Sequence, residues 1–175
     1  TVDQVLQRHF ADSLQVSDLL EDASHLIDIG SGGGFPGLVC AIIMAEVVTE
    51  QGDRRVDLIE INGKKCAFLN AVIRETGLRK TGLAITVHNA RIEHALPTLP
   101  RSDIVSARAL ASLDDLLGLT RIHLEAGSIG LFAKGRDHRQ ELALARQHWS
   151  FECEIIESNL ETDSAVLKIS ELKPK

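Results

Sequence analysis

The sequence has few cysteines, no long apolar run and no surplus of positive charge. Each shortage narrows what the chain can be. Its three cysteines, Cys40, Cys66 and Cys153, are far apart and odd in number, with no Cys-x-x-Cys pair. That argues against a disulfide framework or a zinc site, so no metal is expected. All three read as buried thiols in a reducing, cytoplasmic setting. No apolar stretch approaches the roughly 20 residues needed to span a membrane, and no secretory signal pattern is visible. No membrane partner is therefore expected. The formal net charge is −6. An acidic total argues against nonspecific nucleic-acid binding and leaves room for a local basic face. No internal repeat, low-complexity stretch or linker interrupts the chain, so one domain is expected over residues 1–175. Apolar residues make up 44% and charged residues 25%, the balance of an ordinary globular protein.

What is present alternates. Residues 1–20 carry Val2, Val5, Leu6, Phe10 and Leu14 at helical spacing, which predicts a first helix. His25 to Ile29 predicts a strand, and Leu38 to Val48 a buried helix. Gln51-Gly52-Asp53 is a turn signal. Arg55 to Ile61 reads as a second strand, followed by a helix over Lys64 to Thr76 that Gly77 stops. Strands follow at Leu83 to Val87, Asp103 to Ala107 and Ile129 to Ala133. Between the last two lies a helix, Ser112 to Leu124, with Ser112 as its cap. A helix over Asp137 to His148 precedes strands at Phe151 to Ile156 and Ala165 to Ile169, joined by a polar turn around Asn159 to Asp163. The strand–helix alternation predicts a mainly parallel sheet covered on both faces. The two closing strands, with only a short link, predict an antiparallel pair.

Five glycines crowd the eight residues Gly30 to Gly37, directly after the first predicted sheet strand. Ligands of open parallel sheets bind beyond the carboxyl ends of the strands, where this loop lies. Gly32, Gly34 and Gly37 match the dinucleotide fingerprint letter for letter. Two neighbours pull away from a nicotinamide cofactor. Asp28 stands at the strand end, where it suits a ligand amine or caps the loop's own N–H groups. Pro36 removes a backbone donor where a pyrophosphate would need one. S-adenosylmethionine has an amine, a sulfonium and no phosphate. Glu60 closes the second strand, where a carboxylate can accept from both ribose hydroxyls of an adenosyl or nicotinamide ligand. After the third strand, His88 to Glu93 is a polar loop that would border an adenine; Arg91 and Glu93 equally suit the start of a surface helix.

Five stretches then occur in order: "RHFADSL" (Arg8 to Leu14), "DIGSGGGFPGL" (Asp28 to Leu38), "EINGKKCAFL" (Glu60 to Leu69), "NARIE" (Asn89 to Glu93) and "SARALASL" (Ser106 to Leu113). Together with Lys134-Gly135, they resemble the family of the glucose-inhibited division protein B, the bacterial 16S ribosomal RNA 7-methylguanosine methyltransferases. The resemblance covers most of the chain. It implies a Rossmann-like α/β fold of the class I S-adenosylmethionine-dependent methyltransferases, with a seven-stranded, mainly parallel sheet and an antiparallel C-terminal hairpin. It implies methyl transfer to guanine N7 in 16S ribosomal RNA, and the acidic net charge favours an assembled 30S subunit over naked RNA as the substrate. Gly30 and Phe35 would line the S-adenosylmethionine site, with Ile92 and Glu93 at its adenine side. Arg108 would lie near the cofactor's reactive end or the incoming base. The family carries more N-terminal helix than this chain, so residues 1–22 are expected to be a truncated helical segment ahead of a sheet core over residues 23–175.

Guanine N7 carries a free lone pair, so no proton must leave before the methyl is transferred. In-line placement and exclusion of water are the demands, and proximity supplies most of the acceleration. No histidine–carboxylate dyad is expected, and the seven histidines read as scattered surface or partly buried groups. Arg108 can offer a donor fork to guanine O6. Its alternative is an ion pair with Asp103, Asp114 or Asp115. Lys64, Lys65, Lys134, Arg136 and Arg139 follow the second and fifth strands and would form a basic rim for the RNA backbone. His9, Asp12 and Ser13 either cover the site from the first helix or serve as surface and cap residues. A monomer is favoured. Two other readings stay open on the residues alone: a nicotinamide-dependent oxidoreductase, and a cofactor- or ribosome-binding module without turnover.

Overall fold

The computed structural model describes residues 2–46, 54–158 and 163–175, with residues 2–8 as backbone alone. The strands are β1 (His25–Ile29), β2 (Arg55–Glu60), β3 (Ala84–Asn89), β4 (Ile104–Arg108), β5 (Ile129–Lys134), β6 (Trp149–Glu157) and β7 (Ala165–Pro174). The helices are α1 (Val2–Asp18), α2 (Gly37–Glu46), α3 (Gly63–Glu75), α4 (Ile92–Ala95), α5 (Leu113–Leu124) and α6 (His138–His148).

One seven-stranded sheet runs in the order β3-β2-β1-β4-β5-β7-β6. The first five strands are mutually parallel, and β7 lies antiparallel between β5 and β6. The chain winds outward from β1 to β3, then returns to β1's other side as β4. This reversal opens a crevice at the carboxyl ends of β1 and β4, the switch point where such sheets bind ligands.

Side-chain alternation sorts the strands into two cores. Leu26, Leu58, Ile104 and Leu131 face Val16 of α1, Met44 of α2 and Leu69 of α3. Ile27, Ile59, Val105 and Phe132 face Leu116 of α5 and Leu142 of α6. The central strands are apolar on both faces because helices cover both, and β1 is buried along its whole length.

The expected architecture is present, with shifted boundaries. β7 runs beyond Ile169 to Pro174 because Leu172 continues the buried row. Its register against β6 shifts between Ser150 and Glu152, where Glu171 takes a φ of 55°. Such a bulge lets the strand continue with one residue unpaired. β3 extends to Asn89, which donates to the carbonyls of Glu60 and Ile61. Asn62 caps α3 by accepting from the Lys64 and Lys65 N–H groups. Ser112 caps α5, and Gly77, at φ 70°, follows the end of α3. The predicted turn at Gln51 to Asp53, the end of the second helix at Val47 and Val48, and residues 159–162 of the hairpin turn lie outside the described residues.

Two expectations need correction. Cys40 and Cys66 are buried free thiols, but Cys153 on β6 is only half-buried. The histidines are not all scattered. His25 and His88 each place Nε2 2.7 Å from a carboxylate oxygen of Asp57, and Arg55 bonds the same carboxylate at 2.5 Å. A carboxylate only accepts, so both imidazole Nε2 atoms carry hydrogen. These four side chains tie β1, β2 and β3 together.

Candidate active site

Hydrogen bonds of the backbone and of the Ser31 side chain shape the glycine loop. The N–H groups of Gly30 and Ser31 both donate to the Ile59 carbonyl, at 2.9 and 3.1 Å. Ser31 Oγ donates to the Asp28 carbonyl at 2.9 Å. Gly34 then turns at φ 90°. Gly37 is constrained by space: a Cβ there would stand 2.5 Å from Asp28 Oδ2 and 2.6 Å from Leu58 Cδ2. Helical bonding begins at once, with Leu38 N–H donating to Gly34 O and Cys40 N–H to Pro36 O. Pro36 thus sits in the first turn, where its missing N–H would have had no helical partner.

Glu60 fastens this loop to β2. Its Oε2 accepts from Gly32 N–H at 2.9 Å and its Oε1 from Asn62 N–H at 2.7 Å. A carboxylate offers about four acceptor positions, so capacity remains for two hydroxyls of a ligand.

Asp28 lies under the loop, 1% exposed. Its Oδ1 accepts from Ser106 Oγ at 2.7 Å. Its Oδ2 has no hydrogen bond of good geometry, although the Gly37 N–H lies close enough to favour its charge. Burial raises the carboxyl from 3.8 to about 6 against the lowering pull of Ser106, Ser31, Gly37 and Arg108. Between these values the folded chain holds a proton that the unfolded chain has released. The group's contribution to stability is therefore full below pH 3.8 and is lost as pH rises through about 6. Ionised Asp28 then costs on the order of 3 kcal/mol. Asp28→Asn should gain stability relative to the unmodified protein between pH 4 and 6, with a constant gap above about pH 7. Denaturant titrations at stepped pH read this gap, and a pH-independent difference would remove Asp28 as its source.

Arg108 ends β4 on the face covered by α1. Its Nη1 lies 2.6 Å from His9 Nδ1 and 3.6 Å from Asp12 Oδ2. The guanidinium stands 5.9 Å from the centroid of the Phe35 ring, within cation–π range. Phe35 also meets His9 at 5.6 Å and Phe10 at 5.2 Å between ring centroids. The first helix therefore covers the glycine loop through His9 and Phe10, with Asp12 beside Arg108, while Ser13 is buried with its hydroxyl donated to the His9 carbonyl. Asp103, Asp114 and Asp115, the carboxylates nearest Arg108 in sequence, bond elsewhere: to Ser24 and His25, to Trp149 and His148, and to Ser112.

A cleft of about 280 Å³ opens beside Arg108, over the ends of β4, β5 and β7. Asp12 and Gln15 of α1 line it, as do Lys134, Glu141, Ser158 and Ser164. Lys134 needs a correction. It is not part of an exposed basic rim, because its side chain is 7% exposed and its Nζ donates to Glu141 Oε2 at 2.7 Å and to the Ala111 carbonyl. One residue beyond Ala133, which pairs with Arg108, its side chain points to the opposite face of the sheet and meets α6. Lys64 and Lys65 are exposed at the start of α3, and Arg136 is exposed with Asp163 at 3.5 Å. Arg139 is engaged with Glu157 at 2.7 Å. Ile92 packs against the second core at the start of α4, and Glu93 beside it is exposed. Glu141 was not singled out in the sequence; its position seven residues after Lys134 was the only available signal.

The profile of the GidB family, described as rRNA small subunit methyltransferase G, matches residues 1–166. The chain belongs to this family. The ribosomal RNA small subunit methyltransferase G of Methylorubrum extorquens strain PA1 is 42% identical over 172 residues, 98% of this chain and 77% of that protein. The protein of the same name from Brucella anthropi is 42% identical over 175 residues, 100% of this chain and 78% of that one. The fold is shared more widely. A SAM dependent methyltransferase from Aquifex aeolicus superposes with a TM-score of 0.66 at 13% identity, over 93% of this chain and 92% of that one. The glycine loop anchored by Glu60 and covered by α1 lies within the residues that the family profile matches.

Proposed function

We propose that this protein transfers a methyl group from S-adenosylmethionine to N7 of a guanine in 16S ribosomal RNA of the small subunit, in the cytoplasm. The observation that carries this reading is the junction at Arg108. The Glu60-anchored glycine loop lies on one side and a base-sized cleft on the other, in a chain of the rRNA small subunit methyltransferase G family.

The residues suit this cofactor. Asp28 below the loop is a carboxylate that would disfavour a pyrophosphate and favour a positively charged ligand. Glu60 would hold the ribose hydroxyls, Gly30, Gly32, Gly34 and Phe35 would lie along the ligand, and Ile92 and Glu93 would border the adenine. S-adenosylmethionine supplies a methyl group on a sulfonium. The N7 lone pair would take that methyl, with the sulfur–methyl electron pair returning to sulfur. The positive charge passes to the base, and no proton needs to leave. The protein's work is then to place the base and exclude water. Arg108 stands where a donor fork can hold the O6 edge of guanine, next to N7. The His25–Asp57–His88 group has no part in this, since none of its members lines the cleft.

RNA contacts would come from the exposed Lys64, Lys65 and Arg136. With a net charge of −6, few phosphate contacts are available, which favours an assembled 30S particle over naked RNA as substrate. Tritiated methyl transfer to under-methylated 30S particles should label one guanosine, with mass mapping placing the methyl on N7. No label, or label on another atom, would overturn the proposal.

A further inference from the structure

Glu141, which lines the cleft beside Arg108, is a carboxylate with one oxygen committed to two hydrogen bonds. Glu141 Oε2 accepts from Leu113 N–H at 2.6 Å and from Lys134 Nζ at 2.7 Å. Among the described residues, Oε1 accepts no hydrogen bond. The side chain is 26% exposed and lines the cleft. Fixing one oxygen orients the other. The Lys134 ammonium also bonds the Ala111 carbonyl, so β5, α6 and the segment leading into α5 hold the carboxylate as one unit.

We propose that Glu141 reads the Watson–Crick edge of the target guanine, with Oε1 accepting from N1–H and the 2-amino group. This inference rests on the methyltransferase reading of the site. Guanine turns N7 and O6 toward the reacting methyl, so N1–H and the 2-amino group point to the far wall of the cleft. Arg108 and Glu141 lie on opposite faces of the sheet, because Arg108 shares its face with its register partner Ala133 while Lys134, Glu141's partner, takes the other. A donor fork on one wall and a free acceptor on the other match the donor–acceptor order of guanine. Adenine fails this match, since its N1 is an acceptor and would meet the carboxylate.

The same contact favours the reaction. Methylation at N7 leaves the purine positively charged, so N1–H and the 2-amino group become stronger donors as the new bond forms. A carboxylate opposite them is bound more tightly in the transition state than in the ground state, which is the condition for raising kcat. Glu141 neither gains nor loses a proton in this step.

The test uses the guanosine–inosine pair. Inosine keeps N7, O6 and N1–H and lacks only the 2-amino group. The unmodified protein should methylate 30S particles carrying inosine at the target position about tenfold more slowly than those carrying guanosine. Glu141→Gln should lose about tenfold in kcat on guanosine, should bind S-adenosylhomocysteine within twofold of the unmodified protein, and should distinguish guanosine from inosine by less than threefold. A residue that only braced the loop would slow both substrates alike and leave their ratio unchanged, and that result would overturn the proposal. If Glu141→Gln fails to fold, the unmodified protein decides alone: equal rates on guanosine and inosine would overturn it. Absence of any N7 methylation of guanosine would instead remove the underlying function.

Discussion

Asp57→Ala is expected to lower the unfolding free energy by roughly 3 kcal/mol, the range for breaking a buried ion pair from one side. Asp57 is fully buried and accepts from His25, Arg55 and His88. Removing it leaves the buried His25 ring without its partner and opens a gap between β1, β2 and β3. Arg55, partly exposed, can regain water and soften the loss. Burial alone would raise the Asp57 carboxyl, but the hydrogen bonds from His25, Arg55 and His88 outweigh it and hold the group below the usual carboxylate range. Its folded value is thus below its unfolded one. The stabilisation is fully present above about pH 4 and disappears as pH falls further toward the folded value. Denaturant unfolding should therefore show a wide gap between the two proteins at pH 7 that narrows below pH 4. Equal midpoints at pH 7 would show that the cluster contributes nothing to stability.

The order of strands and helices along the chain and the antiparallel close were legible because apolar runs, glycine stops and the Ser112 cap alternate clearly, and because two strands end the chain with no helix between them. The positions of the glycine loop and Glu60 were legible because one follows and the other ends a parallel strand, at the carboxyl edge of the sheet. The His25–Asp57–His88 contacts were not. Asp57 is 32 residues from His25 and 31 from His88, and only parallel pairing of three strands brings them together. The ion-pair alternative for Arg108 names carboxylates near it in sequence, yet its neighbours come from α1, because a strand-end side chain faces whatever helix crosses that edge. Lys134 looked like a surface cation. The alternation that aims Arg108 at α1 aims Lys134 at α6, where Glu141 receives it. The extent of β7 was underestimated because Ser170, Glu171 and Lys173 read as polar, whereas a strand next to the edge needs only one buried row.

Arg108→Ala should reduce kcat/KM for methyl transfer to 30S particles by roughly 100-fold, the scale for removing one oriented donor from a transition state. The side chain is 19% exposed and held by His9 and Asp12 while its guanidinium lies 5.9 Å from the Phe35 ring centroid. It therefore stands between the loop that would carry the cofactor and the cleft that would take the base. Held in this way, the fork loses little freedom on engaging a ligand, which is why its removal costs more than an exposed charge would. The fold should survive, since Arg108 belongs to neither core cluster and its contacts lie at the carboxyl end of the sheet. Calorimetry with S-adenosylhomocysteine separates its two possible duties. Weakened binding would mean that Arg108 holds the cofactor's methionine end. Unchanged binding with slow transfer would mean that it holds the base. Arg108→Lys keeps the charge without the planar fork and should recover only a small part of the rate if O6 and the ring are gripped together. Unchanged turnover in Arg108→Ala would remove this residue from the site and leave the cleft beside it without its donor.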